Sequence, residues 1–94
     1  MRIDKAASYE RDCKKSLNKI DQQDIQEAEQ ELLNYPNIKA SYRFKPIRCK
    51  KEKTAHSIRI GNSGWRILLS VYADVIYLRR IVDHDEYDRL NRDC

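Results

Sequence analysis

The amino-acid sequence predicts an α+β fold: an N-terminal helical hairpin packed on one face of a mostly antiparallel sheet of about four strands, closed by a short C-terminal helix. Three observations predict it. Apolar residues recur at helical spacing as far as Leu33, they alternate at strand spacing after Pro36, and compact turn signals separate the alternating runs. With 94 residues the chain is read as a single domain, 1–94.

In the first helix Tyr9, Cys13, Leu17 and Ile20 share one face, and Asp4 is placed to cap its start. The second helix begins at Asp21, a cap residue with Asp24 three positions on, and buries Ile25, Ala28 and Leu32, joined by Leu33. Pro36 ends it, because proline disfavours helical geometry at the residue before it. A link as short as the one around Lys19 and Asp21 makes the two helices antiparallel neighbours. Residues 41–45, Ala55–Ile60, residues 65–72 and Val75–Val82 are rich in β-branched and aromatic residues, as half-buried strands are. Gly61-Asn62-Ser63-Gly64 and Ala73-Asp74 provide turns between them. From Asp83 a short acidic helix closes the chain, with Tyr87 and Leu90 spaced to touch the body. The helices cover one sheet face, and the other is expected to be open and basic.

Composition narrows the function. Hydrophobic residues at 40% suffice for a modest core, and no apolar run approaches the roughly 20 residues that cross a bilayer. The charged N-terminus lacks the apolar stretch of a signal peptide, so the expected compartment is the cytoplasm, without membrane contact. Cys13, Cys49 and Cys94 are widely spaced and read as free thiols, and no His or Cys pair has metal-ligand spacing, so neither a metal nor another cofactor is expected. The net charge of +4 is unevenly spread: residues 41–82 hold ten Lys/Arg against two Asp/Glu, a block of +8. That block interleaves with Tyr42, Phe44, Trp65, Tyr72 and Tyr77, the composition of a polyanion-binding face.

Three stretches carry a resemblance. They are Tyr9-Glu10-Arg11-Asp12-Cys13-Lys14-Lys15-Ser16-Leu17; His56-Ser57-Ile58-Arg59-Ile60, a turn, then Trp65-Arg66-Ile67-Leu68; and Asp83-His84-Asp85-Glu86-Tyr87-Asp88. In order and spacing the chain resembles the RelE/ParE superfamily of toxin–antitoxin toxins, in particular its HigB-like members. The family opens with an edge strand, for which Met1–Ile3 is available here, and its hairpin is shorter than the one from Arg59 to Arg66.

The resemblance implies a ribosome-dependent endoribonuclease that cuts mRNA by attack of a ribose 2′-OH on the neighbouring phosphate. Such a reaction needs a base, an acid and cations to stabilise the phosphate. Arg66 is the first candidate for phosphate contact, since its planar fork matches phosphate oxygens, and Arg59 stands on the adjacent strand. Strand alternation sends Arg79 and Arg80 to opposite faces, so one of them is expected to meet RNA. His84 is the acid/base candidate, because imidazole exchanges protons most readily near neutral pH. Tyr87 is a candidate for proton transfer, base stacking or packing; His56 shares the parity of the core residues Ile58 and Ile60 and is a further catalytic candidate by family position. Lys50, Lys51 and Lys53 form a basic loop suited to the RNA backbone. The implied partners are mRNA, ribosomal RNA and a cognate antitoxin, with operator DNA bound only by the toxin–antitoxin complex. Two rival readings are a ParE-like inhibitor of DNA gyrase and a non-catalytic nucleic-acid-binding module.

Overall fold

A computed structural model describes residues 2–47 and 52–93. Cys49, Lys50, Lys51 and Cys94 lie outside the described residues. The elements run β1 (Arg2–Lys5), α1 (Ala7–Ser16), α2 (Gln22–Leu32), a 3-10 turn (Ala40–Tyr42), β2 (Lys45–Pro46), β3 (Ala55–Ile60), β4 (Trp65–Val71), β5 (Val75–Val82) and α3 (His84–Asp93). They build one five-stranded sheet in the order β1-β5-β4-β3-β2. All neighbours are antiparallel except β1, which runs parallel to β5 with Arg2 opposite Val75.

Two expectations are corrected at the N-terminus. A strand precedes the helical hairpin, which makes five strands rather than four, and Asp4 lies within it rather than capping α1. The N-cap of α1 is Ala6, with no side-chain bond. The pairing of β1 with β5 joins residues more than 70 positions apart, and a strand held by so distant a partner leaves little periodicity of its own. Asp21 does cap α2, its carboxylate accepting from the Gln23 amide at 2.9 Å. Residues 41–45 are mostly not a strand. The 3-10 turn and Arg43, at φ 49°, intervene, and only Lys45 and Pro46 pair with β3. Proline lacks an amide donor, which suits it to this short edge.

The core lies between the helices and one sheet face. Tyr9, Ile20, Ile25, Ala28 and Leu32 pack on Ile58, Ile60, Ile67, Leu69, Ile76, Leu78 and Ile81. Leu17 and Leu33, expected to extend the apolar stripes, are about half exposed because each follows the last turn of its helix. The second face is not left open. Helix α3 returns across β4 and buries Tyr87 against it, so part of the basic face is roofed by an acidic helix.

The β3–β4 turn is tight against α2. Gly61 adopts φ +51°, and a Cβ there would stand 2.8 Å from Oδ2 of Asp24. Gly61→Ala is therefore expected to cost about 1–2 kcal/mol through left-handed strain alone, with the crowding of Asp24 added. Denaturant unfolding of the variant beside wild type measures this, and an unchanged midpoint would refute it.

Candidate functional site

Directly opposed residues of an antiparallel pair share a sheet face. Lys45 opposes Ser57, Arg59 opposes Arg66, and Arg66 opposes Val82 across its other edge. These residues therefore stand on the face away from α1 and α2, beneath and beside α3. Two arginines directly opposed repel one another, which makes this end of the face a place for an anion.

Arg66 is the centre of the arrangement. Its guanidinium carbon lies 4.8 Å from the centroid of the Tyr87 ring, a cation–π contact. Its Nε and Nη1 are buried and, among the described residues, without a hydrogen-bond partner. A buried donor left unpaired costs about 1–3 kcal/mol, so these two N–H groups are built at a cost in stability.

Tyr87 is 5% exposed, and its hydroxyl lies 3.2 Å from Oγ of the fully buried Ser57. Burial pushes this phenol up, but hydrogen bonds with Ser57 and Asn91 and the charges of Lys45 and Arg66 outweigh it and hold the phenol below its ordinary range. A lowered phenol gives up its proton at a lower pH than free tyrosine, so phenolate accumulates earlier as pH rises. Phenolate absorbance followed through a pH titration should accordingly show an early component that Tyr87→Phe diminishes. Superimposable curves for the two proteins would show that the phenol is not lowered.

Ser57, Asn91 and Lys45 are the members of this cluster that sequence reasoning missed. Strand parity places Ser57 with Arg59, and Asn91 follows Tyr87 by one helical turn. Those were the available signals, but neither residue type stands out without a partner in view.

The other predicted residues divide. His84, at the start of α3, is exposed, with Nε2 3.3 Å from the Asp88 carboxylate. It stands one turn before Tyr87 on the same helix. His56 faces the core side, as its parity with Ile58 and Ile60 suggested. Its ring stacks on Phe44 at 5.1 Å and its Nδ1 donates to the Thr54 carbonyl at 2.7 Å. It is thus on the opposite face from Arg66. Lys53 is exposed beside β3.

Arg79 and Arg80 escape the strict alternation expected of them. The register shifts between Leu68, opposite Arg80, and Leu69, opposite Leu78, which leaves Arg79 as the extra residue of a bulge. Arg80, opposite Leu68, also stands on the Arg66 face and reaches out to α1 and α3, donating from Nε to Asp12 at 2.7 Å and from Nη2 to Glu86 at 3.4 Å. Arg79 stays on the Arg66 face, where Nε donates to Ser70 at 2.7 Å.

Comparison with known proteins bears on the fold. No family model matches the chain, and no curated protein matches it in sequence. Among solved structures it is similar to the DinJ–YafQ complex of E. coli, with 16% identity, a TM-score of 0.80, and 92% of this chain and 97% of that one covered. A metal-bound toxin from Helicobacter pylori superimposes with a TM-score of 0.76 at 13% identity, over 92% and 97% of the two chains. The YoeB dimer from Staphylococcus aureus gives 0.66 at 14% identity, over 85% and 92%. The chain shares the fold of these toxin structures.

Proposed function

We propose that this chain is the toxin of a type II toxin–antitoxin system and acts as a ribosome-dependent mRNA endoribonuclease. The observation that carries the reading is Arg66. Directly opposed by a second arginine and stacked on a lowered phenol, its guanidinium is arranged for an anionic ligand.

In this reading the ribose 2′-oxygen attacks the adjacent phosphorus, the bond to the 5′ oxygen breaks, and a 2′,3′-cyclic phosphate and a 5′ hydroxyl result. Arg66 and Arg59 hold the non-bridging oxygens as negative charge builds on them. Tyr87, as phenolate, takes the 2′-OH proton, since its surroundings favour the ionised form. His84 delivers a proton to the departing 5′ oxygen from the exposed end of the same helix. His56, on the opposite face, has no part in these steps. Lys53 contacts the RNA backbone, as do Lys50 and Lys51.

A partner follows from the charge. The E. coli DinJ–YafQ pair is a toxin–antitoxin complex, and the +8 block of this chain suits an acidic, partly disordered antitoxin segment laid over the Arg66 face. Operator DNA would be bound by the complex of the two proteins. Primer extension on mRNA in programmed ribosomes tests the activity. In-frame cuts made by wild type support it. Growth arrest with no cut in any message would refute it and bring gyrase inhibition forward.

A further inference from the structure

A second cluster lies on the same face, four residues along β4 from Arg66, or about 13 Å at strand rise. Ser70 opposes Tyr77 across β4 and β5, and Tyr72 follows at the same parity. Arg79, the extra residue of the bulge, sits between the two tyrosines. Its Nε donates to Ser70 at 2.7 Å, and its Nη2 donates to Glu52 at 3.2 Å and to the Tyr72 hydroxyl at 3.3 Å. Its guanidinium carbon stands 5.4 Å from the centroid of the Tyr77 ring. Glu52 is itself fixed by the amide and hydroxyl of Thr54.

The character of this cluster differs from that of the Arg66 end. There, Arg59, Arg66 and Lys45 face one another without a described carboxylate among them. Here Glu52 neutralises Arg79, so the cluster has little net charge with which to hold a phosphate. What it offers instead is aromatic surface held in place. Tyr72 is 41% exposed, and its hydroxyl is tethered by Arg79. That hydrogen bond, with help from Ser70, also holds the Tyr72 phenol below its ordinary range. A tethered ring loses little freedom when another ring stacks on it. Unpaired bases stack on such rings and on guanidinium planes, with little regard to base identity.

We propose that Tyr72, Tyr77 and Arg79 form a nucleobase-stacking subsite for single-stranded RNA, taking an unpaired base a few nucleotides from the phosphate held at Arg66. Tyr72 provides the platform, Arg79 fixes its angle, and Glu52 keeps Arg79 in place. The inference rests on the RNA-cleaving reading above and adds to it a contact that binds without taking part in chemistry.

The probe is a fluorescently labelled, fully 2′-O-methylated single-stranded oligoribonucleotide, which lacks the attacking hydroxyl and survives intact. Its affinity is measured by anisotropy, with one abasic position moved along the strand. Wild type is expected to lose about 5- to 150-fold in affinity when the abasic position falls on the subsite. Tyr72→Leu should lose a similar factor with the intact strand and be insensitive to that abasic position, while Tyr72→Phe, which keeps the ring but loses the tether to Arg79, should fall between Tyr72→Leu and wild type. If Tyr72→Leu binds the intact strand as wild type does while Arg66→Ala weakens binding, the subsite is overturned and the RNA reading stands. If wild type neither binds this strand nor cuts any message, the RNA reading falls and takes the subsite with it.

Discussion

Arg66→Met is expected to reduce mRNA cleavage by about two to three orders of magnitude, the usual effect of removing one preorganised donor from a developing anion, and to leave stability unchanged or slightly raised. The second half of this expectation sets a functional arginine apart from a structural one. Methionine keeps the apolar stem that packs on the sheet and on Tyr87. It removes the cation–π contact at 4.8 Å, which contributes roughly 0.5–2 kcal/mol. It also removes Nε and Nη1, buried donors with no partner among the described residues, each of which costs about 1–3 kcal/mol to keep. The two terms oppose one another, and the unpaired donors outweigh the stacking. Thermal unfolding and primer extension on the same preparations measure both halves. An Arg66→Met protein that cleaves as wild type does would remove Arg66 from the chemistry. One that loses several kcal/mol of stability would make the arginine a structural element, and its loss of cleavage would then say nothing about phosphate.

Much of this molecule was legible in its sequence because the signals were local. The cap at Asp21, the turn at Gly61–Gly64, the strands Ala55–Ile60 and Val75–Val82 and the acidic terminal helix all announce themselves within a few residues. Strand parity also put His56 on the core side, where its ring stacks on Phe44. The features that escaped are those made by contacts between distant parts of the chain. β1, suggested by the resemblance alone and only over Met1–Ile3, exists as a strand because β5 offers it an edge, although their residues are far apart in sequence. Arg79 and Arg80 were assigned to opposite faces by simple alternation, and a single-residue bulge, which no composition marks, undoes that assignment. The site follows the same rule. Arg66, Arg59 and Tyr87 could be named from their motifs, whereas Ser57, Lys45 and Asn91 belong to it only because α3 folds back over β4. An acidic helix at the end of a basic sheet reads as a terminal ornament until its tyrosine is seen under the arginine.

A carboxylate on α1 is linked to that helix through one guanidinium, and the largest effect on stability is expected there. Asp12, on α1, is half-hidden, and its Oδ2 accepts from Nε of Arg80 at 2.7 Å and from the backbone amide of Ile81 at 2.9 Å. Arg80 continues the connection to Glu86 of α3 at 3.4 Å. One carboxyl group thus pairs a β5 amide and ties α1 to α3 through a single guanidinium. Asp12→Ala should cost about 2–4 kcal/mol, combining a lost charge-assisted bond with an Ile81 N–H left unpaired, and discounted because Arg80 is partly exposed to solvent. For a chain of this size that lowers the melting temperature by at least about 8 °C. Asp12→Asn keeps an oxygen for one of the two donors and should lose roughly half as much. Arg80→Met, which leaves Asp12 and the Ile81 amide joined, should lose less than Asp12→Ala, and the double variant should fall short of the sum because both changes break one connection. Additive losses would mean that Asp12 and Arg80 act separately. A melting temperature for Asp12→Ala within about 2–3 °C of wild type, a shift of well under about 1 kcal/mol, would mean that α3 is held by Tyr87 and its sheet contacts alone. The same variants separate anchoring from chemistry. With α3 loosened, the Tyr87 ring no longer sits under Arg66, so cleavage by Asp12→Ala should fall even at temperatures where the protein remains folded. The early phenolate component of its pH titration should move back toward that of free tyrosine.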